Sequence, residues 1–146
     1  MRLTVNIRPQ FNPRRFKLDP QLVEDCHPLG ELGFCRLLLH RNAVLPWFIL
    51  VPETHLKDLL DLPAALRSKA LDDATQVSRF IKKQLGYPKV NFAAIGNVVP
   101  QLHLHVIGRR EGDPCWPAPV WGHLQQTSSY SPEQIEEIQQ GIKALV

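Results

Sequence analysis

The residues most suited to chemistry lie together in one short segment of the chain. Within residues 100–107, Gln101, His103 and His105 alternate with apolar residues. Alternate side chains of a β-strand share a face, so this spacing predicts an amide and two imidazoles in a row, with the intervening apolar side chains in the core. Polar groups in such a row need partners wherever they are buried.

Three interpretations of this row remain open on the residues alone. The first is that the histidines line a solvated sheet face, because polar alternation is the normal pattern of a half-exposed strand. A His-x-His pair also suits zinc or copper, although such a site needs further ligands, and His27, His40, His55 and His123 have no diagnostic spacing. Thirdly, a neutral imidazole whose other ring nitrogen donates to a fixed acceptor is a good nucleophile toward phosphorus.

The segment resembles the signature of the histidine triad (HIT) superfamily, in which three histidines alternate with apolar residues. Residues 48–55, Phe-Ile-Leu-Val-Pro-Glu-Thr-His, are similar to the family's strand that ends in valine or isoleucine, proline and a nearby histidine. Three further features follow in family order: the helical pattern 63–85, Gly96-Asn97 and Trp116-Pro117. The resemblance covers about residues 20–122.

The resemblance implies a role for each residue of the row. His103 matches the nucleophile that carries a nucleoside monophosphate as a covalent phosphoramidate, and His105 matches the histidine that contacts the transferred phosphate. Gln101 stands at the first position, normally histidine, where its amide can hydrogen-bond but cannot carry a proton charge.

Four further residues are substrate-binding candidates by the same resemblance: Asn97 and Gly96 near the phosphate, Asn91, and His55. Two positions depart from the family pattern. Trp47 stands where many relatives have a fourth histidine, and Val98 replaces a serine or threonine that assists the leaving group.

The implied activity is metal-independent hydrolysis or transfer at the α-phosphate of a nucleotide conjugate. The conjugate would be of the dinucleoside polyphosphate or nucleoside phosphoramidate type, and the reaction would need no cofactor. The covalent intermediate would be a nucleotidyl-histidine on His103. Two alternatives stay open: a nucleotide-binding module without turnover, favoured by Trp47 and Val98, and a protein that binds metal through His103 and His105. The resemblance also implies a homodimer.

Two kinds of element must position these residues. Helices are predicted over residues 20–26, 63–85 and 131–145, the last opened by a capping box at Ser131. Strands are predicted over 33–40, 47–51, 89–96 and 101–109, with a turn at 27–30 and an antiparallel hairpin joining the last two strands. Mixed order with a hairpin predicts an α+β fold, and the resemblance implies about five antiparallel strands.

For several residues outside this row the sequence predicts only an environment or a minor role. A solvent-facing side chain is expected for Arg109, and ordinary packing under a loop for Trp116 and Trp121. His40 and Asn42 are weaker candidates for a ribose pocket.

Composition excludes several classes of protein. The chain has 146 residues, 44% hydrophobic and 21% charged, which predicts a single domain over residues 1–146 rather than a disordered or fibrous chain. No apolar run is long enough for a membrane span, no signal peptide is evident, and three cysteines without a C-x-x-C pair favour the cytoplasm. The net charge of +3 concentrates in a basic arm, residues 1–18, but no basic run interleaved with aromatics points to nucleic acid.

Overall fold

The protein was analysed as a computed structural model that describes residues 16–145. Most of the predicted basic arm, residues 1–15, therefore lies outside the described residues. The elements, in chain order, are α1 (Pro20–Asp25), β1 (Cys26–Leu32), β2 (Cys35–His40), β3 (Trp47–Pro52), a 3-10 turn (Leu59–Asp61), α2 (Ala64–Lys83), β4 (Lys89–Ala93), β5 (Leu104–Arg109) and α3 (Pro132–Lys143).

The five strands form one antiparallel sheet in the order β1-β2-β3-β5-β4. Strand alternation sends Phe48, Leu50, Leu104 and Val106 to the face covered by α2, where they join the larger apolar cluster. The other face carries a second buried cluster that includes Trp47. The predicted α+β fold, five-stranded antiparallel sheet and 89–109 hairpin are confirmed.

The long helix follows from its apolar stripe. Ala70, Ala74, Val77 and Ile81 recur at helical spacing and are all buried against the sheet. Gly86, with a φ of 77°, follows the helix in a backbone conformation that favours glycine. None of the helices among residues 16–145 is long and apolar enough to cross a membrane.

The turn predicted at residues 27–30 is wrong, because these residues belong to β1. Proline and glycine suggested a break, yet β1 is an edge strand, where a missing backbone N–H is tolerated. The pairing of β1 with β2 shifts register between Pro28 and Gly30, and this bulge accommodates both residues.

The ends of two other strands also differ from the prediction. β4 ends at Ala93 and β5 begins at Leu104, whereas the pattern predicted strands 89–96 and 101–109. The connection therefore runs from residue 94 to residue 103. It carries Gln101 and His103 immediately before the central strand β5, where loop backbone groups are free to bind side chains.

One buried carboxylate fastens α2 to the β1–β2 hairpin. Asp73 of α2 is 5% exposed and accepts hydrogen bonds from the backbone nitrogens of Phe34 (2.9 Å) and Cys35 (2.8 Å). Gly33 precedes them with a φ of 55°, and a Cβ there would collide with the Asp73 carboxylate. Glycine is thus required both by conformation and by space.

We expect Asp73→Ala to lower the free energy of unfolding by about 3 kcal/mol, because it leaves one buried and one part-buried backbone donor without partners. Urea denaturation measures this change. The matched control is Asp72→Ala at the neighbouring exposed position, with an expected change within about 0.5 kcal/mol. Equal losses in the two variants would contradict the role assigned to Asp73.

Candidate active site

The backbone of the chain holds the neutral ring of His103 in a single tautomer. Its Nδ1 lies 2.7 Å from the backbone oxygen of Gln101, and the residue is 6% exposed. A carbonyl oxygen can only accept, so Nδ1 carries the hydrogen and donates it. In the neutral ring the lone pair then sits on Nε2, which is the arrangement a nucleophilic imidazole requires.

His105 has the opposite pattern. The indole Nε1–H of Trp47 donates to Nδ1 of His105 over 3.0 Å, and an indole nitrogen cannot accept. The neutral ring therefore carries its hydrogen on Nε2. Burial, reinforced by the charges that His103 and His40 would carry, lowers the pKa of His105 to about 3, so the ring is neutral at pH 7.

The two imidazoles thus offer complementary groups side by side. Their ring centroids are 4.8 Å apart with planes at 69°. His103 presents a lone pair and His105 presents an N–H, which suits attack on phosphorus with a neighbouring hydrogen bond to a phosphoryl oxygen. Because each residue is only 6% exposed, the solvated-face interpretation is wrong.

An aromatic cluster surrounds His105. Trp47 stacks on His40 with centroids 4.2 Å apart and planes at 12°, while Trp121 packs edge-on against His105 at 4.9 Å and against Trp47 at 5.8 Å. These rings exclude water from one side of His105. Trp121 is therefore a packing residue, as predicted, but the ring that it covers belongs to the site.

Gln101 has two separate functions in the structure. Its backbone oxygen holds His103, while its side-chain amide binds the segment before α1. Oε1 accepts from the Asp19 backbone nitrogen (2.7 Å), and Nε2 donates to the Lys17 backbone oxygen (2.8 Å). A primary amide matches a paired N–H and C=O, so Gln101 positions both the nucleophile candidate and residues 17–19.

The solvent-facing prediction for Arg109 is wrong, since the side chain is 1% exposed. It makes hydrogen bonds of 2.7 and 3.1 Å with the two carboxylate oxygens of Asp113, and it donates to the Ala118 backbone oxygen (2.8 Å) and to Oδ1 of Asn91 (2.8 Å). β5 continues through Gly108, and the following loop folds back to supply the counter-charge. Arg109 therefore fastens the loop that leads to Trp121.

The other predicted binding residues are dispersed. Gly96 lies beside His103, and Asn91 is half-buried with its Oδ1 bound by Arg109. Asn97 and His55 are exposed and do not line the cavity beside His103 within the described residues.

Asn42, a weaker ribose candidate, is occupied by the C-terminal region. Its Nδ2 donates to the Gln126 backbone oxygen (3.0 Å), and its Oδ1 accepts from the Ser128 and Val44 backbone nitrogens (3.2 Å each).

A cavity of about 340 Å³ opens beside His103. Its lining comprises residues 57–61, 94–96, Leu102 and His103. The sequence pattern did not identify Lys57, Asp58 and Asp61 as site residues. The one feature that could have pointed to them is the charged stretch between β3 and the proline that precedes α2. Lys57 is the cation of this lining and can attract an anionic ligand.

Across residues 16–145, the structure brings together no group of three or more histidine, cysteine, aspartate or glutamate side chains that could hold a metal ion.

A family model described as the HIT domain matches residues 21–112 of this chain. Three solved structures have the same fold over almost the whole chain. A histidine triad protein of Sinorhizobium meliloti is 37% identical with a TM-score of 0.83, covering 90% of this chain and 97% of its own. One from Marinobacter aquaeolei is 39% identical with a TM-score of 0.82, covering 89% and 95%.

The third, from Bradyrhizobium japonicum, is 32% identical with a TM-score of 0.82, covering 90% of this chain and 98% of its own. No curated protein matches this chain.

We expect long-range ¹⁵N–¹H spectra to show His103 as the Nδ1–H tautomer and His105 as the neutral Nε2–H tautomer. Because burial lowers the pKa of His105 to about 3, its ring should remain neutral down to about pH 5, where a free imidazole is protonated.

Since only the unfolded chain takes up this proton near the ordinary value of 6.5, His105 also makes the protein less stable as the pH falls from 6.5 toward 3. An Nδ1–H signal for His105, or a cationic ring near pH 6, would contradict the hydrogen bond from Trp47.

Proposed function

Because this chain belongs to the histidine triad family, we propose that it is an enzyme that hydrolyses nucleotide conjugates, or transfers their nucleotidyl group, at the α-phosphate through His103. The observation that carries the proposal is the hydrogen bond between Nδ1 of His103 and the Gln101 backbone oxygen. It fixes a hydrogen on Nδ1, so the neutral ring carries its lone pair on Nε2, beside a cavity that opens to solvent.

The reaction has two displacement steps. In the first, the Nε2 lone pair of His103 forms a bond to the α-phosphorus. The leaving group departs from the side opposite Nε2 and takes the electron pair of the broken bond with it. Nδ1 keeps its hydrogen and continues to donate it to the Gln101 backbone oxygen. This hydrogen bond stabilises the positive charge that the ring acquires. In the second step water attacks phosphorus, the P–N pair returns to Nε2, and one proton of the water is released with the nucleoside monophosphate.

The neighbouring residues take supporting roles in this proposal. The Nε2–H of His105 donates to a phosphoryl oxygen, and Lys57 draws the anionic conjugate into the cavity. Gln101 occupies the first triad position and acts by positioning His103.

We assign Gly96, Asn97, Asn91 and His55 to substrate binding by family resemblance. Gly96 is supported by its place in the cavity lining. Asn97 and His55 would have to reach the substrate from exposed positions, and Asn91 is held by Arg109.

A second candidate function is nucleotide binding without turnover. It is favoured by the hydrogen bond that the Trp47 indole donates to His105, because an indole can only donate and therefore keeps a second proton off that imidazole. The two functions differ in two observables, the covalent adduct and the released product.

We expect acid-quenched mass spectrometry, during turnover of a dinucleoside polyphosphate, to find a nucleotidyl adduct on His103. His103→Ala should lower kcat by at least about 10⁴-fold, because it removes the attacking atom. His27→Ala, in the edge strand at the opposite side of the sheet, is the matched control and should retain activity.

Turnover that survives His103→Ala would overturn the covalent mechanism, and so would turnover that a chelator abolishes. Saturable nucleotide binding with neither adduct nor product would establish the binding module instead.

We further propose that two copies of the chain pair through β4 and α2. Among residues 16–145, β4 is an edge strand that pairs with β5 alone, and Phe92 on it is 44% exposed. Leu71 of α2 is 41% exposed and lines the same groove of about 290 Å³ as Phe92 and Val90. A second copy would extend the sheet and cover these apolar side chains.

Phe92→Lys should convert the dimer to a monomer in light scattering, because it places a charge in the centre of the contact. Val23→Lys, on α1, is the control at a similarly exposed apolar residue and should leave the assembly unchanged. A wild-type monomer at high concentration, or a Phe92→Lys dimer, would refute this interface.

We also infer a cytoplasmic location and a small nucleotide-type partner. The location is supported by three buried free cysteines, Cys26, Cys35 and Cys115, which a reducing compartment keeps as thiols.

A further inference from the structure

The protonation patterns of the site bear on which leaving groups it can expel. Amines and aliphatic alcohols leave phosphorus only if a general acid protonates them, whereas the anions of stronger acids leave without a proton. An in-line displacement places the departing atom opposite Nε2 of His103. The candidate proton donors around the site are His103, His105, His40, Gln101 and the charged residues of the cavity lining. His55 is exposed and does not belong to that lining within the described residues.

His103 cannot supply it. Its only hydrogen is on Nδ1, which donates to the Gln101 backbone oxygen 2.7 Å away. Nδ1 and Nε2 lie on opposite sides of the ring, so this hydrogen points away from the phosphorus that Nε2 attacks.

His105 cannot act as an ordinary imidazolium acid. The cation requires a hydrogen on Nδ1, and the Trp47 N–H already points at that atom from 3.0 Å. Two N–H groups would then face each other in a buried site. The Nε2–H of the neutral ring can donate a hydrogen bond, but releasing that proton would create an imidazolate, which is far too unstable near neutral pH. The low pKa of His105 agrees with this geometry.

His40, which stacks on Trp47, is held in a similar way. Its Nδ1 accepts from the Asn42 backbone nitrogen (3.1 Å), and burial lowers its pKa although Asp25 opposes the shift. Gln101 contributes an amide, which is not an acid at this pH. Val98 has no hydroxyl and is 92% exposed.

The charged residues of the cavity lining do not replace an acid. Asp58 and Asp61 are exposed carboxylates that can accept hydrogen bonds, and Lys57 is an exposed ammonium at the same lining. Lys57 can stabilise a departing anion through its charge alone.

We propose, on the basis of the function proposed above, that this site cleaves conjugates whose leaving group departs as a stable oxyanion, such as phosphoric anhydrides, and discriminates against amine and alkyl alcohol conjugates. Trp47 is the specificity-determining residue, because its N–H keeps a proton off Nδ1 of His105. The phosphorus–oxygen bond breaks with its electron pair on the leaving oxygen, and no proton enters that step.

The test compares adenosine monophosphate conjugates that differ only in the leaving group: the p-nitrophenyl ester, the phenyl ester and an alkyl phosphoramidate. For the wild-type protein we expect kcat/KM to fall in that order. The value for the phosphoramidate should be at least ~100-fold below that for the p-nitrophenyl ester, because general acid catalysis contributes a rate factor of about that size.

Trp47→Phe supplies the decisive comparison, because it keeps an aromatic ring but removes the N–H. His105 can then take a proton on Nδ1, so the ratio of phosphoramidate to p-nitrophenyl turnover should rise by ~10-fold or more. Trp116→Phe, at an exposed indole on the loop after β5, is the matched control and should alter neither rate. The ¹⁵N spectrum of His105 confirms that the variant ring becomes protonatable.

Equal wild-type turnover of all three conjugates would overturn the inference while leaving the proposed hydrolase intact. An unchanged ratio in a folded Trp47→Phe variant would show that Trp47 does not determine the selectivity. No turnover of any conjugate, the p-nitrophenyl ester included, would overturn the proposed function itself and this inference with it.

Discussion

The pairing of β3 with β5 at the centre of the sheet is the constraint on which the site depends. Its register places Ile49 opposite His105 and Trp47 opposite Ile107. Opposite residues share a face, so Trp47 and His105 are diagonal neighbours on the same side. A register shift of one residue would turn His105 into the core beneath α2 and destroy the hydrogen bond between the two rings.

Burial and polarity are reconciled on this face by pairing the Nδ1 atom of each imidazole with a group that can only donate or only accept. An indole N–H faces His105, and a backbone oxygen faces His103. An unpaired polar atom in such a site would cost about 1–3 kcal/mol, so the same bonds that stabilise the fold also decide where each imidazole hydrogen sits. Stability and chemistry are therefore set by the same contacts.

The loop that follows β5 completes the arrangement from outside the sheet. Arg109 ties that loop to Asp113 and to the Ala118 backbone, and the loop then delivers Trp121 against His105. The ion pair lies entirely within the protein and holds a segment without regular secondary structure in one position. Asp113 is only four residues from Arg109, but the fold of the loop, rather than a strand or helix period, brings its carboxylate onto the guanidinium, so the sequence pattern suggested an exposed arginine.

The sequence by itself determined the elements with strong periodicity, namely the long helix, the apolar strands and the antiparallel hairpin, because each depends on local spacing of apolar residues. It also determined that Gln101, His103 and His105 belong together.

Only the tertiary structure decided how those three residues are used. The amide of Gln101 reaches Lys17 and Asp19, Trp47 meets His105 across two strands, and both histidines are buried. These contacts join residues far apart in the chain, and hydrogen-bond direction depends on the atoms that face each other rather than on the order of residues.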